Sequence, residues 1–219
     1  MHATNPATSR YPWSAVAQAM TGWSRLTSLR RSTGTGMPTP TASPAVVVHW
    51  HVFSATGPRR AEAARSAKAW LADARRPVVR IGRYRESYFP QDWAKIKDDF
   101  ERIKAQVDPD LVLTHWRDDR HQDHRVLSDL AWNTYRNHTI LEYEIPKYDG
   151  DLGQPNVYVG IDDAAARLKV SRILAHFPTQ AGRHWFTEDT FLGLMRVRGL
   201  ESGPRSRYAE AFHARKLVL

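Results

Sequence analysis

Residues 117–127 read RDDRHQDHRVL and place three acids, two histidines and three arginines in eleven positions. His121 and His124 stand three residues apart, with Asp123 between them. On a helix, side chains at i and i+3 point to nearly the same side. Neutral imidazole is a good zinc ligand, and a neighbouring carboxylate can orient the ring or fix its tautomer. The spacing therefore supplies one or two metal ligands with an orienting acid. A mononuclear zinc site needs three protein ligands and an open position, so the stretch is incomplete alone. A plainer reading stays open: Asp118, Asp119 and Asp123 suit the positive end of a helix dipole, with the histidines as polar surface.

The elements that must position this stretch follow from the pattern around it. AVVVHWHVFSA (45–55) is β-branched and aromatic and predicts a buried strand. TGPRRAEAARSAKAWLADA (56–74) opens on a Gly-Pro turn and continues as a helix. Short strands are expected at 78–82, 109–116, 140–146 and 156–161. The helix at 92–107 carries Trp93, Ile96, Phe100, Ile103 and Val107 on one stripe. Further helices are expected over 122–136, 162–177 and 187–200. Alternation of strand and helix predicts an α/β fold, a Rossmann-like three-layer sandwich with a mainly parallel sheet. Ligands of such sheets sit beyond the carboxyl ends of the strands, and 117–124 directly follows a strand.

Composition narrows the chemistry. The chain has 219 residues and no cysteine, so a metal must rest on histidines and carboxylates, and disulfides are excluded. No window approaches the roughly 20 apolar residues of a membrane span. The net charge of +9 invites a nucleic-acid reading, but Arg10, Arg25, Arg30 and Arg31 sit in the first 44 residues and the remaining excess is scattered. Scattered arginine describes a solvated surface better than a binding stripe, so no nucleic-acid partner is expected. Residues 1–44 contain STGTGMPTPTASP and no acid; the first acidic residue of the chain is Glu62. That segment reads as low-complexity and disordered, with an organellar targeting segment as an alternative, and 45–219 as the folded domain. Without a secretory apolar segment, a cytoplasmic location is expected.

The order strand, THWRDDRHQDHR, helix resembles the second motif of the PIG-L (LmbE-like) family of zinc-dependent N-deacetylases. VFSATGPRRAEAARSAKAWL resembles the family's second strand and following helix, with Arg59 and Glu62 in its Arg-x-x-Glu signature. YRESYFP (84–90) stands where the family has an Asp-Gly turn, here Glu86-Ser87, and YAEAFHARKL (208–217) resembles its closing element. The resemblance implies removal of acetyl groups from an N-acetylglucosamine-type or related N-acetyl substrate, a small-molecule sugar or glycoconjugate, with Zn²⁺ as cofactor. On the matching positions, His124 would be a zinc ligand, His121 would stabilise the oxyanion, Asp123 would orient an imidazole, and Arg59 would contact substrate. Tyr143, Tyr148, Trp185 and Phe186 lie on stretches expected to border the pocket.

One family motif is missing. His-x-Asp-Asp, after the first strand, supplies a catalytic base and two zinc ligands; residues 1–44 hold only His2 and no carboxylate. Either the N-terminal segment is not the ancestral one, or the chain has lost catalysis and keeps the fold for sugar binding or interaction. In both cases activity is expected to be absent or severely impaired. The sheet is expected to lack its first strand, and the resulting bare edge would favour a homo-oligomer.

Overall fold

The structure, a computed structural model, describes residues 46–217. The segment 1–44 lies outside the described residues. Six strands and five helices follow in order: β1 (His49–Val52), α1 (Gly57–Trp70), β2 (Val78–Ile81), α2 (Trp93–Lys104), β3 (Leu111–His115), α3 (Gln122–Thr134), β4 (Thr139–Tyr143), β5 (Val157–Ile161), α4 (Asp163–His176), α5 (Glu188–Glu201) and β6 (Tyr208–Lys216). A short 3₁₀ turn spans Pro178–Gln180. The mixed α/β class expected from the alternation is observed.

The local starts have identifiable causes. Gly57 takes a φ of +54°, and a proline in the first turn of α1 follows at no cost in lost hydrogen bonds. Asp162 caps α4 by accepting from the Ala165 amide at 2.8 Å, and Thr187 caps α5 from Thr190 at 3.4 Å. The α2 stripe buries Ile96 and Phe100 but leaves Trp93 43% exposed, because the stripe is wider than its contact with α3.

The sheet is parallel only in part. β1 pairs with β2 in parallel, and β3 with β4 in parallel. β6 returns after α5 and inserts between β4 and β5, antiparallel to both. The strands thus form two sheets, β1-β2 and β3-β4-β6-β5. Among the described residues, β1 and β3 each carry a ladder on one edge only.

Three apolar clusters hold these layers. One joins Val48, Trp50 and Val52 to Ala67, Val170, Ile173 and Trp185. A second packs Phe53, Phe89, Ile96, Phe100 and Leu130, with Phe53 stacked on Phe100 at 5.1 Å. The third centres on Phe212 of β6, which is fully buried between Leu141, Tyr143 and Val159. Each such side chain contributes roughly 1.5–3 kcal/mol by burial.

Candidate active site

β3 ends at His115, and the chain turns sharply before α3. The Trp116 amide still donates to the Tyr143 carbonyl at 2.9 Å, and the Arg117 amide to the Glu142 carboxylate at 3.1 Å. Asp119 N–H then closes a turn on the Trp116 carbonyl at 3.2 Å. His121 is the residue that caps α3: its Nδ1 accepts from the Asp123 amide at 3.2 Å. The expected placement at the carboxyl end of a strand is what the fold delivers.

Three imidazoles stack in this corner. The His121 and His124 rings are 4.5 Å apart, and the His115 and His124 rings 4.2 Å apart. All three are buried. Burial, with the neighbouring His124 ring, pushes the His121 pKa down to about 3, so the ring is neutral. Since its Nδ1 accepts a hydrogen bond, the proton of neutral His121 resides on Nε2. His124 is set the other way. Its Nδ1 lies 3.0 Å from Asp119 Oδ2. Burial alone would raise the Asp119 pKa, but the His124 hydrogen bond and the nearby Lys147 ammonium hold it well below the usual carboxylate range. An ionised carboxylate only accepts, so His124 Nδ1 donates; in the neutral form of the ring the lone pair then falls on Nε2. Two adjacent rings thus present opposite faces: an N–H donor on His121 and a lone pair on His124.

Asp123 is placed differently from the expectation. Its Oδ2 accepts from the Ser87 amide at 2.6 Å and its Oδ1 from the buried Phe89 amide at 3.0 Å. It therefore fastens the 86–90 turn to α3, while the acid on an imidazole is Asp119. Gln122 strengthens the same junction by donating to the Ser87 carbonyl at 3.0 Å. Ser87 has a φ of +68°, in the region that favours glycine, at the position where the PIG-L resemblance has its Asp-Gly turn. We expect Asp123→Ala to cost about 2–3 kcal/mol, because two amides lose a charged acceptor. Ser87→Gly should leave stability equal or up to about 1 kcal/mol higher, since strain relief opposes the entropy of glycine. Urea unfolding checks both; an unchanged Asp123→Ala midpoint would show that the turn is held by other means.

Arg59 projects from α1 to the same region and meets Glu86 at 3.4 Å, with 15% of its side chain exposed. Glu62, one turn further on, is buried and accepts from the Thr179 amide at 2.9 Å and hydroxyl at 2.6 Å. Its work is to fix the 3₁₀ turn. Tyr148 stacks on His184 at 5.6 Å, whereas Tyr143, Trp185 and Phe186 are core residues.

Sequence reasoning missed His115, Asp119 as the imidazole's partner, and Lys147. His115 stands in the quoted THW and could have been flagged by its place at a strand end. Lys147 carries no spacing signal, being on a separate loop.

The zinc expected from the resemblance was tested against the donors present. His124 Nε2 is suited to a metal, but among the described residues no group of three His, Cys, Asp or Glu is placed to hold one. The remaining N-terminal residues add one histidine, His2, and no acid. These residues do not complete a zinc centre, and no catalytic step through a metal follows from them.

Comparison with solved structures identifies the fold. The conserved protein TT1542 of Thermus thermophilus matches with a TM-score of 0.62 at 16% identity, covering 94% of this chain and 92% of that one. A triple mutant of a deacetylase of the teicoplanin biosynthetic pathway gives 0.61 at 15% identity, covering 92% and 93%. The antimicrobial pseudoaglycone deacetylase Dbv21 gives 0.57 at 17% identity, covering 94% and 93%. The chain has the fold shared by these proteins. Residues 32–135 match the family model described as PIG-L, GlcNAc-PI de-N-acetylase, so the resemblance carried by the motifs is to a family the chain does share sequence with. The match opens at residue 32, inside the stretch read as low-complexity. No curated protein matches the chain. Among the described residues, no helix is long and apolar enough to cross a membrane.

Proposed function

We propose that the chain is a PIG-L-type N-deacetylase homologue that binds an N-acetylglucosamine-type or related N-acetyl glycoconjugate, and that its catalysis is severely impaired. The observation that carries this reading is the opposed pair of rings, a donor on His121 and a lone pair on His124. A donor fixed in a buried site stabilises charge developing on an acetyl carbonyl oxygen. His121 is therefore the oxyanion-side catalytic residue, and His124 the single imidazole offered to Zn²⁺. Asp123 supports the pocket by holding the 86–90 turn, and Arg59 stands at the rim as the substrate contact. A bound zinc would supply an activated water; one imidazole does not retain the ion tightly, and of the nearby carboxylates Asp119 is engaged by His124 and Asp123 by the 86–90 turn.

The same proposal keeps 1–44 as a separate segment from the 45–219 domain and retains a cytoplasmic location. Among the described residues, the single-sided ladders of β1 and β3 support a homo-oligomer. The test is zinc content together with acetate release from N-acetylglucosamine derivatives, measured on the purified 219-residue chain. Substoichiometric zinc and no turnover are expected; stoichiometric zinc with turnover overturns the impairment. A second reading, a non-catalytic sugar-binding protein, is favoured by the lack of a three-donor group among the described residues. Saturable sugar binding without hydrolysis even at excess zinc selects it.

A further inference from the structure

Away from the histidine pair, a groove of about 480 Å³ runs between α1 and β2. Ala67 and Leu71 line it from the helix side, Val79 and Ile81 from the strand side, and Arg60 and Lys68 complete it. It follows a strand edge. Among the described residues β2 pairs with β1 alone. Val78 donates its amide to the Val48 carbonyl at 2.9 Å, and Gly82 to that of Val52 at 2.6 Å. Peptide groups alternate between the two edges of a strand, so those of Val79 and Ile81 face away from β1. Arg60 closes one end of this edge, donating to the Ile81 carbonyl at 2.7 Å. The Val79 amide and carbonyl and the Ile81 amide remain as ladder positions, beside a Val79 side chain that is 39% exposed. A bare edge with an exposed apolar residue is an association hazard unless something covers it.

We propose that this groove is a docking site for an extended acidic segment of a partner protein, added as a short strand to the edge of β2. Charge identifies the occupant. Residues 56–83 carry seven arginines and one lysine against two acids, Glu62 and Asp73. Glu62 is buried on Thr179 and does not offset that excess at the surface. Lys68, Arg75 and Arg76 are exposed and make no ion pair among the described residues. The two arginines directly precede Pro77, which borders the groove. The Arg75 amide, donating to the Val46 carbonyl at 2.9 Å, fixes that corner against the start of the sheet. The main chain of the added strand pairs with Val79 and Ile81, one of its apolar side chains enters between Val79 and Leu71, and its carboxylates meet Lys68, Arg75 and Arg76. The first 44 residues of this chain hold four arginines and no acid, so like charge disfavours them as the occupant. A nucleic acid would answer the charge but leave the apolar floor and the edge amides unused.

The test uses the full chain and a fluorescent peptide of alternating valine and threonine with paired aspartates at each end. Fluorescence anisotropy should show saturable binding, and hydrogen exchange should slow at the Val79 and Ile81 amides when the peptide is bound. Replacing the aspartates by asparagine, or methylating the peptide's backbone nitrogens, should weaken binding roughly tenfold or more. Lys68→Glu, a change at an exposed side chain, should do the same without altering the fold. Val79→Pro removes an outward amide and should abolish binding while circular dichroism stays native. No saturable binding, equal binding of the methylated or asparagine peptides, or unchanged exchange at Val79 and Ile81 overturns the proposal. Tighter binding of a single-stranded oligonucleotide or of phosphatidylserine vesicles, lost in Lys68→Glu, overturns it in favour of a nucleic acid or a membrane surface. Self-association that Val79→Pro abolishes, with no peptide bound, overturns it in favour of a second copy of this chain. Neither zinc content nor hydrolysis enters any of these readouts, so failure of the proposed function leaves the result standing.

Discussion

Acidification from pH 7 to about 4 should unfold most of this protein, with the loss beginning below pH 6.5. Burial lowers the pKa of His121 to about 3 and of His51 to about 4, and holds His115 well below its ordinary value. In the unfolded chain each would titrate near 6.5. Between the two values the unfolded state binds more protons, so stability rises with pH there and is lost as pH falls. For His121 alone the loss by pH 4 is on the order of 3 kcal/mol. Asp119 adds to the loss below its unfolded value because its folded pKa is depressed. Asp123 and Glu142 act in the opposite sense, since burial raises their pKa and the folded state takes up their protons first. The three imidazoles depart further than Asp123 and Glu142 and set the sign. Against a total stability of about 5–15 kcal/mol, the combined effect is large. Circular dichroism with urea titrations at several pH values checks it; a stability flat from pH 7 to 4 contradicts it.

Arg198→Met should cost about 3–5 kcal/mol, the scale for breaking a buried ion pair from one side. The guanidinium, 7% exposed, reaches Glu144 through Nε at 3.1 Å and Nη2 at 2.6 Å. It also donates to Glu201 at 3.0 and 2.8 Å and to the Gly153 carbonyl at 3.1 Å. One side chain thus joins α5, the end of β4 and the loop that carries Lys147. Gly153 itself sits against the Trp116 indole, where a Cβ would come within 2.5 Å, and Trp116 stacks on His213 at 4.6 Å. Arg198→Lys should recover little, because an ammonium cannot reproduce the fork. Thermal unfolding measures both; a loss below about 1 kcal/mol for Arg198→Met would mean that Glu144 is satisfied by His213 and the Gly153 amide alone.

Much of the fold was legible because its elements differ in period. The helix at 92–107 and the strand at 109–116 declare themselves by apolar spacing, and both form within a few residues of the expected ends. β6 was not legible as a strand. Tyr208, Ala209, Glu210 and Phe212 are buried on both faces, so the stretch shows no alternation to read. Its antiparallel insertion between β4 and β5 made the sheet less parallel than alternation of strand and helix suggests. Within the site, the i, i+3 spacing of His121 and His124 correctly put the two rings side by side. The choice between Asp119 and Asp123 as the ring's partner was beyond spacing, since both acids lie near the histidines in sequence. The 86–90 turn, far upstream in the chain, captures Asp123 and leaves Asp119 for His124.

The sequence by itself determined an α/β chain without thiol ligands, a histidine pair at the end of a strand, and the lack of any carboxylate in the first 44 residues. Those properties depend on residue types and near-neighbour spacing, which a linear chain displays. Only the tertiary structure decided which imidazole donates and which keeps a lone pair. The position of a proton on a ring depends on the group facing each nitrogen. For His124 that group is Asp119, which folding brings to 3.0 Å from its Nδ1.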